Sequence, residues 1–530
     1  MNIISRAIQN GLHLCGDKTL EQQTWEQFKD ISDGKKIFIF GTGRAMGYFL
    51  RHCCNHMKID GIIDNDKEQQ QYRLGWNCTD AYQTEYENII IQSPEVLKQY
   101  SPQEITVLIT STSYYQSIIS QLKAMGITNY FVLLMMEANA QRYLSVTEMD
   151  FLDERDDYIQ WCCSQEIKAN KIVMSYGEYG GHAKYITKQL LKQRKDLDIV
   201  WLVYDPLTEA PEGVRLVPER NWKSYIYEME TAKIWLFDIT VMDYIVKRQG
   251  QIYIQAKHWS SITLKKFYLD DKSSCTTSEI VSWIRYNGEM MDYLLSGSDF
   301  DEASCRSGFA FNGKAVRVGS SRSDVLFDET VKEKVYDKFG LGADTHMLLY
   351  APTYRDVEFR SNKSMSISLD INKLLNVLHN KFGGEWYVFV RLHPWLDFNK
   401  CGIKEDERII NAGNYPDSEE LVAASDMMIT DYSSIMFEEA FVKRPVFLYA
   451  PDRKEYINGE RGLLIDYDTL PFPIAETNEE LERCIMKFER QKYEKDITIF
   501  LDRYGVYEDG HASERAAKFI SDLIDGKSFD

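Results

Sequence analysis

Short apolar runs rich in β-branched and aromatic residues recur along this chain, separated by stretches that suit helices. The first series is KIFIFG (36–41), IDGIIDND (59–66), NIIIQS (88–93), ITVLITS (105–111) and YFVLL (130–134), with 114–125 reading as a helix. Strands alternating with helices predict parallel, doubly wound sheets, because a parallel pair needs a crossover long enough to hold a helix. A second series runs through KIVMSYG (171–177), DIVWLVYD (198–205), AKIWLFDI (232–239), QIYIQAKH (251–258) and AVRVGS (315–320). A third runs through MLLYAPT (347–353), WYVFVRLHP (386–394), DMMITDYSS (426–434) and PVFLYAP (445–451). The expected fold class is therefore α/β. A Rossmann-like domain spans 1–145, an acidic helical linker 146–169, and two further Rossmann-like halves, 170–330 and 331–530, face a cleft. Ligands of such sheets sit beyond the carboxyl ends of the strands.

Bulk properties narrow the function. The chain has 530 residues, 44% of them hydrophobic, which suits about three domains with a large core. With 81 acidic against 62 basic side chains the net charge is −19, which argues against nucleic-acid binding. No apolar run is long enough for a membrane span and the N-terminus lacks a continuous apolar signal region, so a cytoplasmic location is expected. The ten cysteines are scattered and form no zinc-type pairs, which fits a reducing compartment.

Gly41-Thr42-Gly43-Arg44-Ala45-Met46-Gly47 follows an apolar strand and opens a helix, and Asp64 ends the next strand. Gly41, Gly43 and Gly47 would let backbone approach a pyrophosphate, and Asp64 is placed to bind a ribose hydroxyl. The spacing is looser than the strict dinucleotide fingerprint, and the plainer reading is a tight turn that binds nothing. In 183–195, Ala183, Ile186, Leu190 and Leu191 make an apolar stripe expected to pack on a sheet.

The most specific signal is SDMMITDYSSIMFEEAFVKRPVFLYAPDRKEY at 425–456. A strand enters Thr430-Asp431-Tyr432-Ser433-Ser434 and a helix follows, so hydroxyls gather where a phosphate is readily bound. This segment resembles the hallmark of the CDP-glycerol glycerophosphotransferase family, the teichoic acid polymerases and primases. Leu348 to Arg355 (LLYAPTYR) is similar to a second family motif and Arg391-Leu392-His393-Pro394 to a third. Asp292 to Ser298, Val318-Gly319 and Arg322-Ser323-Asp324 match the region before the hinge. The resemblance covers about 165–515. Three positions depart from it, all in the acceptor-side half. Trp259 replaces the glycine after His258, Ser321 replaces a proline before Arg322, and Gly181-His182-Ala183 stands where many relatives carry Asn-Pro before Lys184.

The resemblance implies a GT-B pair of Rossmann-like domains and transfer of a polyol phosphate from a CDP-alcohol, such as CDP-glycerol, to a hydroxyl of a lipid-linked or polymeric acceptor. It implies donor contacts from Thr353, Arg355, Arg391, Thr430, Ser433, Ser434 and Glu438, with His393 neutralising the diphosphate. His258 is the expected base, as histidine titrates near physiological pH; His182 is expected to cap or pack. No required cofactor or tightly bound metal is expected, and a weak magnesium requirement stays open. Teichoic-type acceptors are lipid-linked, so peripheral contact with the inner membrane face is expected. The alternative within this architecture is a glycosyltransferase that uses a nucleotide sugar.

Overall fold

The computed structural model describes residues 18–527, apart from 82–83, 112–113, 141–147, 178, 205–207, 272–276, 343, 354, 356–366, 394–395, 397, 399–400, 404 and 460–461. The chain divides into two compact units, residues 1–168 with 200–232 and residues 169–199 with 233–530.

The first unit holds a five-stranded sheet of β1 (Lys36–Phe40), β2 (Gly61–Ile63), β3 (Ile91–Gln92), β4 (Ile105–Ile109) and β5 (Tyr130–Val132). Their order is β3-β2-β1-β4-β5, and every neighbouring pair is parallel. The strands are apolar on both faces because helices cover both sides, and Phe38, Ile39, Ile62, Val107 and Leu108 lie at 0–1% exposure. The acidic segment after this sheet is helical over Glu148–Ser164; its first two residues, 146–147, lie outside the described ones.

Next come β6 (Lys168–Gly177), β7 (Asp198–Val203), β8 (Val214–Pro218), β9 (Ala232–Phe237), β10 (Ile252–Gln255), β11 (Tyr293–Ser296) and β12 (Lys314–Arg317). They form a sheet of order β12-β11-β10-β9-β6-β7-β8, in which β9 to β12 pair in parallel. The third sheet joins β13 (Thr345–Tyr350), β14 (Glu385–Val390), β15 (Ile409–Asn411), β16 (Met427–Thr430), β17 (Val446–Tyr449) and β18 (Ile474–Ala475). Its order is β15-β14-β13-β16-β17-β18, again all parallel.

The helix foreseen over 183–195 runs from Gly181 to Gln193 and buries Ala183, Ile186 and Leu190 of the expected stripe, while Leu191 is only half-buried. It packs against the last helix, Ala512–Ile524, whose first amides, on Ala512 and Ser513, donate to Asp324 at 2.9 and 2.7 Å. The C-terminal segment therefore returns to the seven-stranded side of the second unit. Glu508, in the same return, accepts from Ser320 N at 3.0 Å. Burial pushes its carboxyl up to about 8, against its hydrogen bonds to Ser261 and Ser320.

Candidate active site

The six-stranded sheet sends four loops from the carboxyl ends of adjacent strands to one edge. β13 leads into Ala351-Pro352-Thr353 and on to Arg355. β14 leads into Arg391-Leu392-His393, β16 into Asp431-Tyr432-Ser433-Ser434, and β17 into Ala450-Pro451-Asp452. This is the edge at which parallel sheets bind ligands.

Arg355 ties three of these loops together. Its Nε donates to Asp452 Oδ2 at 2.6 Å, and its Nη2 donates to Asp431 Oδ2 at 2.9 Å and Asp452 Oδ1 at 3.1 Å. The guanidinium also lies 5.0 Å from the ring centres of Tyr432 and Tyr456, which stack on each other at 3.7 Å. Thr353 N donates to Asp431 Oδ1 at 2.8 Å, and Tyr432 OH donates to Asp452 Oδ1 at 3.0 Å. Burial works against ionisation of Asp452, but Arg355 prevails and holds its carboxyl below the usual range.

The hydroxyls at this edge are not equivalent. Thr430 Oγ1 is fully buried and donates to the Ala351 carbonyl at 2.7 Å. Ser433 Oγ accepts from Ile435 N at 3.4 Å, one turn before the short helix Met436–Phe441. Ser434 Oγ accepts from Leu264 N at 3.0 Å and lies 3.2 Å from Thr263 Oγ1. Thr353 Oγ1 is buried and has no hydrogen-bond partner in the structure. A buried hydroxyl left unpaired costs about 1–3 kcal/mol, so this atom is the one at the edge most in need of a ligand oxygen.

Arg391 turns toward the backbone. Its Nη1 donates to the carbonyls of Ala412 at 2.8 Å, Gly413 at 2.5 Å and Tyr415 at 2.8 Å, bracing the turn after β15. His393 is half-buried on the same edge, where its carbonyl accepts from Leu396 N at 2.8 Å.

Across the second unit, β10 delivers His258. From Tyr253 to Leu264 every residue is buried except this one. Residues 263–266 then pair with the 462–464 segment: Leu464 N donates to Leu264 O at 2.8 Å and Lys266 N to Gly462 O at 2.9 Å. Arg322 completes the link between the halves. It donates from Nη1 to His258 O at 3.0 Å, places Nε 3.2 Å from Glu438 Oε1, and contacts Glu419. Nearby, Lys184 pairs with Asp417, which also accepts from Tyr185 OH at 2.9 Å. Glu438, expected to reach the donor, thus sits 3% exposed within an ionic cluster.

Three carboxylates of this cluster face two cations. Burial works against ionisation of Asp417, but its hydrogen bonds and Lys184 hold it below the carboxylate range. Burial pushes Glu419 up to about 8, against the Arg322 charge and with Asp417 and Glu438 adding to the rise, and burial also raises Glu438. The cluster therefore retains a proton near neutrality. A raised carboxyl gives stability that is fully present below the unfolded value, near 4.3, and lost as pH rises towards 8. Thermal unfolding at pH 5, 6.5 and 8 is expected to show that loss, and Glu419→Gln to flatten it by about 1 kcal/mol or more.

In the first unit, Gly41 has φ +110°, a conformation open to glycine. Thr42 donates from both N and Oγ1 to Asp64 Oδ2, each at 2.8 Å. A Cβ on Gly47 would sit 2.2 Å from Asp80 Oδ2, so this glycine permits close approach of the Arg44–His52 helix to the Thr79–Ala81 turn. Asp64 is thus engaged in closing the glycine loop itself.

Several charged residues were not singled out from the sequence: Asp417, Glu419, Lys257, Asp301 and Glu508, and Arg322 only as part of a motif. The one available signal was Lys257, two residues past the apolar strand QIYIQ and beside the candidate base.

Two successive Rossmann-like sheets, with polar loops gathered at the carboxyl edge of the six-stranded one, define a GT-B-like architecture. Comparison with known proteins places the chain within it. Residues 158–522 match the family described as CDP-Glycerol:Poly(glycerophosphate) glycerophosphotransferase, and the chain belongs to that family. It is 29% identical over 374 residues to a teichoic acid poly(glycerol phosphate) polymerase of Staphylococcus epidermidis, covering 68% of this chain and 51% of that one. It is also 29% identical over 338 residues to a polymerase of the same description from Bacillus spizizenii, covering 62% and 84%. The chain thus spans about half of the first relative and most of the second. A solved wall teichoic acid polymerase, TagF, superposes with a TM-score of 0.63 at 27% identity, over 71% of this chain and 95% of that one.

Proposed function

We propose that this protein transfers glycerol phosphate, or a related polyol phosphate, from a CDP-linked donor to a hydroxyl of a teichoic-acid-like or capsular polymer, releasing CMP. Family membership supports the reaction class, and relatives described as teichoic acid polymerases support the acceptor class. The observation that carries the donor site is the buried, unpartnered Thr353 hydroxyl beside the Asp431–Ser434 loop.

In this reading residues 331–530 supply the donor site and 170–330 the acceptor side. Thr353, Ser433 and Ser434 donate to diphosphate oxygens; Ser434 keeps its own hydrogen for this while accepting from Leu264. Arg355 and Thr430 hold the donor loops in register, Arg391 braces the edge beside them, and Glu438 acts through Arg322. The acceptor oxygen attacks the phosphorus that carries the polyol, and a new P–O bond forms. The bond to the bridging oxygen breaks, CMP leaves with that oxygen, and the acceptor proton passes to His258. His393 neutralises charge on the diphosphate. Such transfers are governed by positioning and charge stabilisation.

Among the described residues no helix is long and apolar enough to cross a membrane. A lipid-linked acceptor is then met at the membrane surface, by peripheral contact from the cytoplasmic side. The glycine loop at Gly41, Gly43 and Gly47 with Asp64 is a nucleotide site in this proposal only if a nucleotide opens the Thr42–Asp64 contact.

Thr353→Val tests the donor site. Valine fills the same volume without the unpaired hydroxyl, so thermal stability is expected to hold or rise, while CDP-glycerol affinity falls about tenfold. Thermal-shift titration with CDP-glycerol, CDP-ribitol and UDP-glucose measures both effects. Unchanged CDP-glycerol affinity in the valine variant, or stabilisation by UDP-glucose alone, would count against this donor site.

A further inference from the structure

The three places where the acceptor-side half departs from the family pattern meet at one turn. His182 Nε2 donates to the carbonyl of Trp259 at 2.7 Å. Burial holds the His182 ring neutral, and its carbonyl partner assigns the ring hydrogen to Nε2. Trp259 Nε1 donates to Asp301 Oδ1 at 3.1 Å. Arg322, directly after the serines, donates to the carbonyl of His258 at 3.0 Å. His258 therefore has a braced residue on each side and a braced carbonyl of its own.

The second brace lies beneath it. Lys257 Nζ pairs with Asp301 Oδ2 at 3.1 Å, and both side chains are 0% exposed. Gly297 N donates to the same carboxylate oxygen at 3.2 Å. Lys257 has φ +55°, the left-handed region that side chains with a Cβ avoid. Such backbone persists only where the surroundings over-determine it, and a buried ion pair persists only when both partners are held. A turn whose sole task was to fill the core would need neither. Here the combination buries Lys257 and Trp259 and leaves His258 as the exposed residue between them.

We propose that Lys257, Asp301 and His182 are positioning residues that fix the 257–259 turn and thereby set where His258 meets the acceptor hydroxyl. The proposal rests on the reading of His258 as the group that takes the acceptor's proton. Trp259 is the coupling piece: its indole is held by Asp301 and its carbonyl by His182, so the turn cannot rotate without breaking one of them.

The test uses Asp301→Asn, His182→Ala, His182→Gln and His258→Ala in the full chain, with two readouts. The first is CMP release from CDP-glycerol with acceptor. Asp301→Asn and His182→Ala are expected to lower kcat about tenfold or more, as misplaced catalytic groups do, with the donor KM within about threefold. Glutamine restores a donor to the Trp259 carbonyl, so His182→Gln is expected to recover most of the loss. The second readout is the His258 imidazole resonance in histidine-labelled protein, assigned by its absence in His258→Ala; it is expected to shift in Asp301→Asn and His182→Ala. An unmoved resonance in both folded variants overturns the proposal whatever the activity. So does wild-type kcat in both while His258→Ala is inactive. Turnover by His258→Ala itself overturns the base assignment instead, and the resonance then still decides whether the turn is held.

Discussion

Replacing Arg355 by methionine is expected to cost the protein about 3–5 kcal/mol and its donor-dependent turnover together. Breaking a buried ion pair by removing one partner leaves an uncompensated charge of that order of cost. Arg355 faces two carboxylates, of which the Asp431 side chain is only 3% exposed and Asp452 36%, so most of the cost falls on Asp431. The same loss frees the Asp431 loop from the Asp452 loop and removes the cation that lies over Tyr432 and Tyr456. Lysine is expected to rescue poorly, since the two carboxylates are gripped by a planar fork. The pH dependence gives an independent sign. Asp452 lies below its usual range because of Arg355, so its contribution is present above the unfolded value and lost as pH falls through the folded one. In Arg355→Met that contribution is expected to disappear, and thermal unfolding between pH 3 and 7 measures it.

The second large effect is on rate. His258→Ala is expected to lower kcat by about 10²–10⁴, the usual contribution of a positioned acid or base. The donor KM is expected to stay within about threefold, because the loops proposed to bind the donor lie on the six-stranded sheet and His258 follows β10 of the seven-stranded one. The side chain is exposed and its neighbours are buried, so truncation leaves the fold intact and the thermal midpoint is expected to move little. Steady-state kinetics with CDP-glycerol varied at fixed acceptor separates kcat from KM. A raised KM with unchanged kcat would move His258 from proton transfer to binding.

What the sequence disclosed follows from where the information resides. Strands such as KIFIF and MLLY are apolar on both faces and end in turn residues, so their place in parallel sheets is legible locally. Strands β15 and β18 are three and two residues long and carry no pattern of their own; they exist because a neighbouring strand offers them hydrogen bonds. The family motifs located the edge loops, and Asp431 and Ser434 stand where those motifs end strands. The partners of these residues were hidden. Arg322 meets Glu419 and Glu438 only when segments about a hundred residues apart close on each other, and Ser434 meets Leu264 across 170 residues. Arg391 resembles a phosphate ligand in its motif, yet its guanidinium serves the carbonyls of 412–415, a pairing made by the turn after β15. Asp64 likewise reads as a ribose ligand by spacing and closes on Thr42 in space.

The central claim is tested most directly by incubating the purified protein with CDP-glycerol, CDP-ribitol or UDP-glucose, each with a polymeric acceptor shown to be competent with a known polymerase. Release of CMP or UDP is followed alongside a His393→Ala control. The account expects CMP release from a CDP-alcohol, matched by polyol phosphate on the acceptor and lost in the control. UDP release alone, or no release from any donor with that competent acceptor, would contradict it.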